Sequence, residues 1–291
     1  MSDAKSQRPS AEHDQRVKDD WDVLAHYYDS RHRDAGNDWH RNLVLPTTLN
    51  LLGDIQGKRG IDLCCGSGVL ARQLVELGAQ VTGADQSKTF LELAEPYDRS
   101  TEIEWLCFPL AETADHVEPG SFDFVTCTMA LMDIPASEDL FTAIAHCLKP
   151  GGVAVVVTMH PVFKNPSNLQ FTVEGELASE DQREGIIISH YLTPMAQEVV
   201  GMPGQPQEQL NFHRPISHEL NLAFDAGLVV DGFAEVTKSA LEEPPTQHTD
   251  FYIPPSLEDE IPVLLGLRLR PAPWWACSTP RSLQPPPAHP A

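Results

Sequence analysis

The stretch Gly60–Asp85, GIDLCCGSGVLARQLVELGAQVTGAD, limits what this chain can fold into more than any other part of it. A short apolar run, Ile61–Leu63, leads to the closely spaced glycines Gly66 and Gly68. A helical pattern follows, with Leu70, Leu74 and Leu77 on one face, and Gly78 stands where a helix C′ residue belongs. A second run, Gln80–Ala84, then delivers Asp85. Strand, glycine-rich turn, helix, strand, acid is the layout of a nucleotide-binding βαβ half-unit. Glycine at the turn lets the backbone approach a ligand with no Cβ in the way. The Asp85 carboxylate, closing the second strand, can take both hydroxyls of a ribose.

Two ligand classes use such a unit. Read from Gly66, GSGVLA matches the G-x-G-x-x-A pattern of dinucleotide sites. Asp62 argues against that ligand. It lies inside the strand end, four residues before Gly66, where it would face a pyrophosphate with like charge. Near a sulfonium or an ammonium the same carboxylate is favourable. The arrangement D-x-C-x-G-x-G, Asp62 to Gly68, with Asp85 after the next strand, resembles the cofactor motif of class I S-adenosylmethionine (SAM) dependent methyltransferases. That resemblance implies SAM as cofactor. It also implies a Rossmann-like, doubly wound α/β fold: seven mostly parallel strands, an antiparallel last strand, a helical N-terminal cap and a lid insertion.

Further segments extend the likeness over about Leu24–Pro271, toward small-molecule methyltransferases of the ubiquinone/menaquinone-biosynthesis type. WDVLAHYYDSRH resembles the family's Y-D segment, which puts Tyr28 near the methionine end of the cofactor; packing of the helix is the other reading of that tyrosine. SFDFVTCTMALMDIP resembles the loop under the cofactor and brings in Thr128 and Met129. Leu110 and Ala111 stand where the family has Asp-Ala. The usual acid there binds the adenine amino group, so adenine recognition falls on backbone groups or another side chain. Cys64, Ser67, Gly68 and Gln86 complete the implied cofactor set. Helix, K-P-G-G (Lys149–Gly152) and a β-branched run, Val153–Thr158, are a family signature and read as a buried central strand.

Composition removes other classes of function. Lys and Arg number 20 against 42 Asp and Glu, a formal charge of −22, which repels nucleic-acid phosphates. None of the six cysteines forms a C-x-x-C pair, so they read as reduced thiols and no metal is expected. The N-terminus lacks the apolar region of a signal peptide, and no apolar run reaches membrane-spanning length. A cytoplasmic enzyme with a small-molecule acceptor is expected, with no membrane partner. Residues 1–18 read as a flexible polar start, 19–270 as the methyltransferase domain with a cap at 19–55 and a lid at about 163–210, and the proline-rich 271–291 as a disordered tail.

The acceptor side is less legible. His160 follows the central strand at the sheet edge where ligands bind. It is a candidate for proton transfer, or else it bonds a loop carbonyl and shapes the pocket. His190, Tyr191, Met195 and Met202 lie in the insertion and are candidates to touch the acceptor. H-R-P-I-S also resembles that family, which implies that His213 and Arg214 lie near the lid, where Arg214 binds either an acidic substrate or an internal carboxylate. Ser217 is expected to cap the next helix. The rival functions are an RNA or protein methyltransferase, an NAD-dependent oxidoreductase, and a catalytically silent SAM-binding protein.

Overall fold

The computed structural model describes residues 11–98, 103–163, 169–174, 183–240 and 257–272. Seven strands form one sheet: β1 (Arg59–Leu63), β2 (Gln80–Asp85), β3 (Glu104–Cys107), β4 (Phe122–Thr128), β5 (Leu148–Met159), β10 (Leu228–Val236) and β11 (Leu264–Pro271). Their spatial order is β10-β11-β5-β4-β1-β2-β3. β11 pairs antiparallel with both its neighbours, and the remaining pairs are parallel. The mostly parallel sheet with an antiparallel last strand is the expected architecture.

The chain runs outward from β1 through β2 to β3, then returns to place β4 on the other side of β1. That reversal creates a crevice at the carboxyl ends of β1 and β4, where ligands of such sheets bind. Helices cover both faces. On one, α6 (Ser137–Cys147) buries Leu140, Phe141 and Ile144 against Ile61, Val125 and Val156. On the other, α2 (Leu45–Leu52) and α3 (Val69–Glu76) pack Leu51, Leu70 and Leu74 against Val81, Phe124 and Val155. Strands buried on two sides read as continuous apolar runs, which is why β5 was so visible in the sequence.

Two pieces roof the crevice. The first is α1 (Ala11–His32), which begins earlier than the polar composition of residues 1–18 suggests. Val17 explains the difference: it is buried in a cluster with Leu210 and Phe212, from a distant part of the chain. The second is a hairpin of β8 (Met195–Val199) and β9 (Gln209–His213), inside the expected insertion. Another hairpin, β6 (Leu169–Glu174) with β7 (Arg183–Ile188), precedes it. α4 (Lys88–Ala94) and α5 (Thr113–His116) complete the helices ahead of β4 and α6. The last helix, α7 (Ile216–Asp225), starts after Pro215 in an extended conformation, so Ser217 sits within the first turn and does not cap it. Of the tail expected over 271–291, Pro271 instead ends β11, paired with Leu228; residues 1–10 and 273–291, including Trp274 and Trp275, lie outside the described residues.

Candidate functional site

At the crevice β1 ends in a turn that the sequence makes tight. Cys64, Gly66 and Gly68 all adopt positive φ, at 56°, 54° and 76°. Gly68 has a packing reason as well as a conformational one, because a Cβ there would lie 2.3 Å from the Trp105 ring. Gly66 differs: its Cβ would meet nothing nearer than the Phe90 ring at 3.9 Å, and Gly66 and Phe90 both border the cavity above. The turn thus leaves an open ledge of bare backbone.

Asp85 holds that ledge. Its Oδ2 accepts the Gly66 N–H at 2.9 Å and its Oδ1 accepts the Ser87 N–H at 2.8 Å. Ser87 caps α4 through the Phe90 N–H, and its hydroxyl donates to Asp22 of α1 at 2.5 Å. Burial pushes the Asp85 carboxyl up to about 6, while the two N–H donors oppose that shift. Asp62 is 2% exposed and accepts the Thr126 hydroxyl at 2.7 Å. Burial raises it to about 7; the Thr126 bond opposes this and the nearby Asp85 charge adds to it. Two carboxyls whose ionisation is disfavoured in one buried region favour a cationic neighbour.

The cavity above measures about 1130 Å³. Of the residues that the sequence assigned to the cofactor, it brings together Tyr28, Cys64, Gly66, Ser67, Asp85, Gln86, Leu110, Ala111, Thr128 and Met129 along the wall. Asp62 and Gly68 stand behind it, the first bonded to Thr126 and the second against Trp105. Met129 also has a positive φ of 56°, so a strained non-glycine residue marks the ends of both β1 and β4.

The acceptor candidates scatter. His160 does not line the cavity. Its Nδ1 accepts the Val162 N–H at 3.3 Å, which leaves Nε2 protonated and donating to Glu235 at 3.0 Å, so both ring nitrogens are engaged. His190 is exposed, and its carbonyl accepts the Thr193 N–H. The Tyr191 hydroxyl accepts the Ile216 N–H, and the Tyr191 carbonyl accepts from His213 Nε2. Arg214 is buried; it donates to the carbonyls of Ile134 and Pro135 and pairs with Glu219 at 3.5 Å, the internal alternative for that residue. Met202 borders the cavity and Met195 pairs with His213 in the hairpin.

Several wall residues were missed. Asp133 is buried and accepts Asn211 Nδ2 at 2.9 Å and Gln209 Nε2 at 3.4 Å. Gln209 in turn accepts the Tyr28 hydroxyl at 3.0 Å, and burial with the Asp133 charge pushes that phenol up. His32 and His40 border the same space. His32 could have been found: it follows Tyr28 by four residues, hence on the same face of α1.

A switch-point crevice, a ledge of bare backbone and an acid closing the second strand are the features of a nucleotide-binding α/β domain. Residues 61–156 match a family model described as a methyltransferase domain. Among curated proteins it is similar to the ubiquinone biosynthesis O-methyltransferase of Alkalilimnicola ehrlichii, 36% identical over 135 residues, 46% of this chain and 53% of that protein. The Bordetella avium protein of the same name is 31% identical over 135 residues, covering 46% and 54%. The chain thus spans about half the length of the curated relatives it matches. Among solved structures, a SAM-dependent methyltransferase from Mesorhizobium loti superposes with a TM-score of 0.62 at 24% identity, over 77% of this chain and 96% of that one. A putative one from Listeria monocytogenes gives 0.58 at 19%, over 80% and 96%. These two likenesses bear on the fold.

Proposed function

We propose that this protein is a SAM-dependent methyltransferase that passes a methyl group to a small-molecule acceptor by in-line displacement. The observation that carries the reading is the Gly66 ledge, anchored by Asp85 and open to a roofed cavity large enough for two reactants. The curated relatives, whose name joins oxygen methylation to ubiquinone biosynthesis, support a small acceptor. Residues 19–270 form the catalytic unit, with the cap extended back to Ala11 and the hairpin β8–β9 as the lid.

When bound, the cofactor supplies an already activated methyl group. Gly66 and Ser67 offer backbone to its polar end, Asp85 takes the ribose hydroxyls, and Thr128 with Met129 support the amino-acid end. Asp62 and Asp85 lower the electrostatic cost of a cation beside them. Alignment of two reactants contributes about 7–11 kcal/mol toward such a barrier, more than a general base at about 10²–10⁴-fold. The roof serves that alignment. Tyr27 donates to the Pro203 carbonyl at 2.5 Å and Gln207 to Asp20 at 3.0 Å, joining α1 to the hairpin and excluding water.

Calorimetry of the full chain with SAM, its demethylated product S-adenosylhomocysteine and NAD tests the reading. Binding of the first two is expected. Binding of NAD without SAM would overturn it.

A further inference from the structure

Arg72, in the first turn of α3, is 6% exposed and does not line the cavity, yet it touches both the ledge and the roof. On the ledge side its Nη1 donates to the Ser67 carbonyl at 2.6 Å. On the roof side its Nη2 donates to the carbonyls of Asp34 at 2.9 Å and Arg33 at 3.3 Å, just past the end of α1. Its Nε lies 3.1 Å from Asp34 Oδ1. The guanidinium carbon stands 4.9 Å from the centre of the Tyr97 ring, whose hydroxyl donates to Asp29 of α1 at 3.2 Å. The chain leaves α1 at Arg33, where φ is 52°, so the carbonyls past that point need partners outside the helix. A cation is favoured at such an end.

The Ser67 bond matters to the ledge because a peptide unit is planar. Fixing the Ser67 carbonyl fixes the Ser67–Gly68 peptide, whose N–H also donates to the Cys65 carbonyl at 3.0 Å. There is little slack, since a Cβ on Gly68 would lie 3.1 Å from Arg72 Nη1. Asp85 pins the Cys65–Gly66 peptide through the Gly66 N–H. The Gly66–Ser67 peptide between them is thereby held from both sides, and both residues border the cavity. Each of the two side chains that pin the ledge is also joined to α1. Arg72 reaches it directly, and Asp85 reaches it through Ser87, whose hydroxyl donates to Asp22. Tyr28, Arg31 and His32 of that helix border the same cavity.

We infer that Arg72 is a positioning residue that makes seating of the cofactor on the Gly66–Ser67 ledge and closure of the α1 roof a single event. The inference rests on the methyltransferase reading above. A ligand that fixes the Ser67 peptide fixes the guanidinium, and the guanidinium fixes the end of α1. Loosening of α1 runs the same path in reverse. Cofactor on the ledge and acceptor beneath the roof therefore favour each other by the same factor in either direction. Arginine suits the task because its N–H donors form a rigid planar fork. That fork reaches three carbonyls and a carboxylate at once, which the point charge of lysine does not reproduce.

The test reads hydrogen exchange of the full chain, free and saturated with S-adenosylhomocysteine, beside calorimetry of the same ligand. The Arg33 N–H, bonded to the Asp29 carbonyl at 2.7 Å, reports on the end of α1, and neither Arg33 nor Asp34 lines the cavity. In the wild-type chain the ligand is expected to slow exchange there by about fivefold or more. Arg72→Lys should bind S-adenosylhomocysteine about tenfold more weakly, and at saturation the slowing should fall below about twofold. Asp34→Ala, which takes away the carboxylate beside Arg72 from the α1 side, should move both readouts in the same direction and stands in if Arg72→Lys does not fold. A residue that only stabilised the end of α1 would speed exchange with and without ligand alike. A wild-type ratio of the two rates in saturated Arg72→Lys therefore overturns the inference. So does wild-type affinity in that variant, or a wild-type chain whose Arg33 N–H ignores bound ligand. Failure of the wild-type chain to bind S-adenosylhomocysteine would instead strike at the methyltransferase reading.

Discussion

Gly66 and Gly68 are two residues apart and both left-handed, yet alanine at each should fail in a different way. In either case the added Cβ costs about 1–2 kcal/mol for the left-handed conformation. At Gly68 the Cβ would also press 2.3 Å from the Trp105 ring, which lies so close over Gly83 that a Cβ there would sit 2.4 Å from it, and cannot retreat that way. Overpacking of that kind adds about 1–3 kcal/mol, so Gly68→Ala should lose about 2–5 kcal/mol in all. At Gly66 the nearest atoms are 3.9 Å away, and folding should lose only the conformational cost. The cofactor should feel the difference. A methyl group on the ledge displaces a ligand seated on bare backbone, a steric cost of about 1–3 kcal/mol, or roughly 5- to 150-fold in dissociation constant. Chemical denaturation and calorimetry with S-adenosylhomocysteine measure the two quantities separately. Equal stability of the two variants would refute the packing argument. Wild-type affinity in Gly66→Ala would refute the ledge.

The two buried acids make a pH prediction. Their folded values of about 6 and about 7 exceed the ordinary carboxylate value of about 3.9, so the folded form binds more protons across that interval. Their contribution to stability is therefore full below about pH 4 and is lost as pH rises to about 7. A cation favours the ionised acids, so the preference for SAM over uncharged-sulfur S-adenosylhomocysteine should grow by about tenfold for each unit that the cation lowers one of these values. Parallel titrations at mildly acidic and mildly alkaline pH check this, and a flat ratio would contradict it. Arg214→Met should destabilise by about 3–5 kcal/mol, because it leaves Glu219 buried without its cation; a loss below about 1 kcal/mol in denaturant would refute the internal role. His160→Ala should lose about 1–3 kcal/mol of stability from its two ring bonds while binding S-adenosylhomocysteine normally. Reduced affinity in folded variant protein would place the ring nearer the site than its partners indicate.

How much of this was legible in the sequence follows from how local each signal is. The Gly60–Asp85 unit encodes its strand, turn, helix and acid within 26 consecutive residues, and these elements appear where the pattern put them, except that Leu77, expected on the apolar face with Leu70 and Leu74, is the exposed C-cap residue. The Ser87 cap of α4 is equally local, the cap and the N–H it satisfies being three residues apart. The roof was illegible because its partners are remote. Val17 is buried only because Leu210 and Phe212 lie over it. In β9, Gln209, Asn211 and His213 are buried polar residues that defeat any apolar pattern, and Asp133 and the Tyr191 carbonyl make their burial tolerable. His160 was placed correctly at the end of β5, but its ring turns to Glu235 of β10, a neighbour that only the folded sheet order reveals.

The seam between α1 and the β8–β9 hairpin has a further consequence. Tyr27 and Pro203 are 176 positions apart, and Arg16 reaches Glu198 across 182. Both halves of the seam fall outside residues 61–156, the span that the domain family holds in common. The chamber's floor therefore lies within that span and its ceiling outside it. Under the proposed function, exchanging those two outer pieces would change what the chamber accepts and leave the residues of the Gly66 ledge as they were.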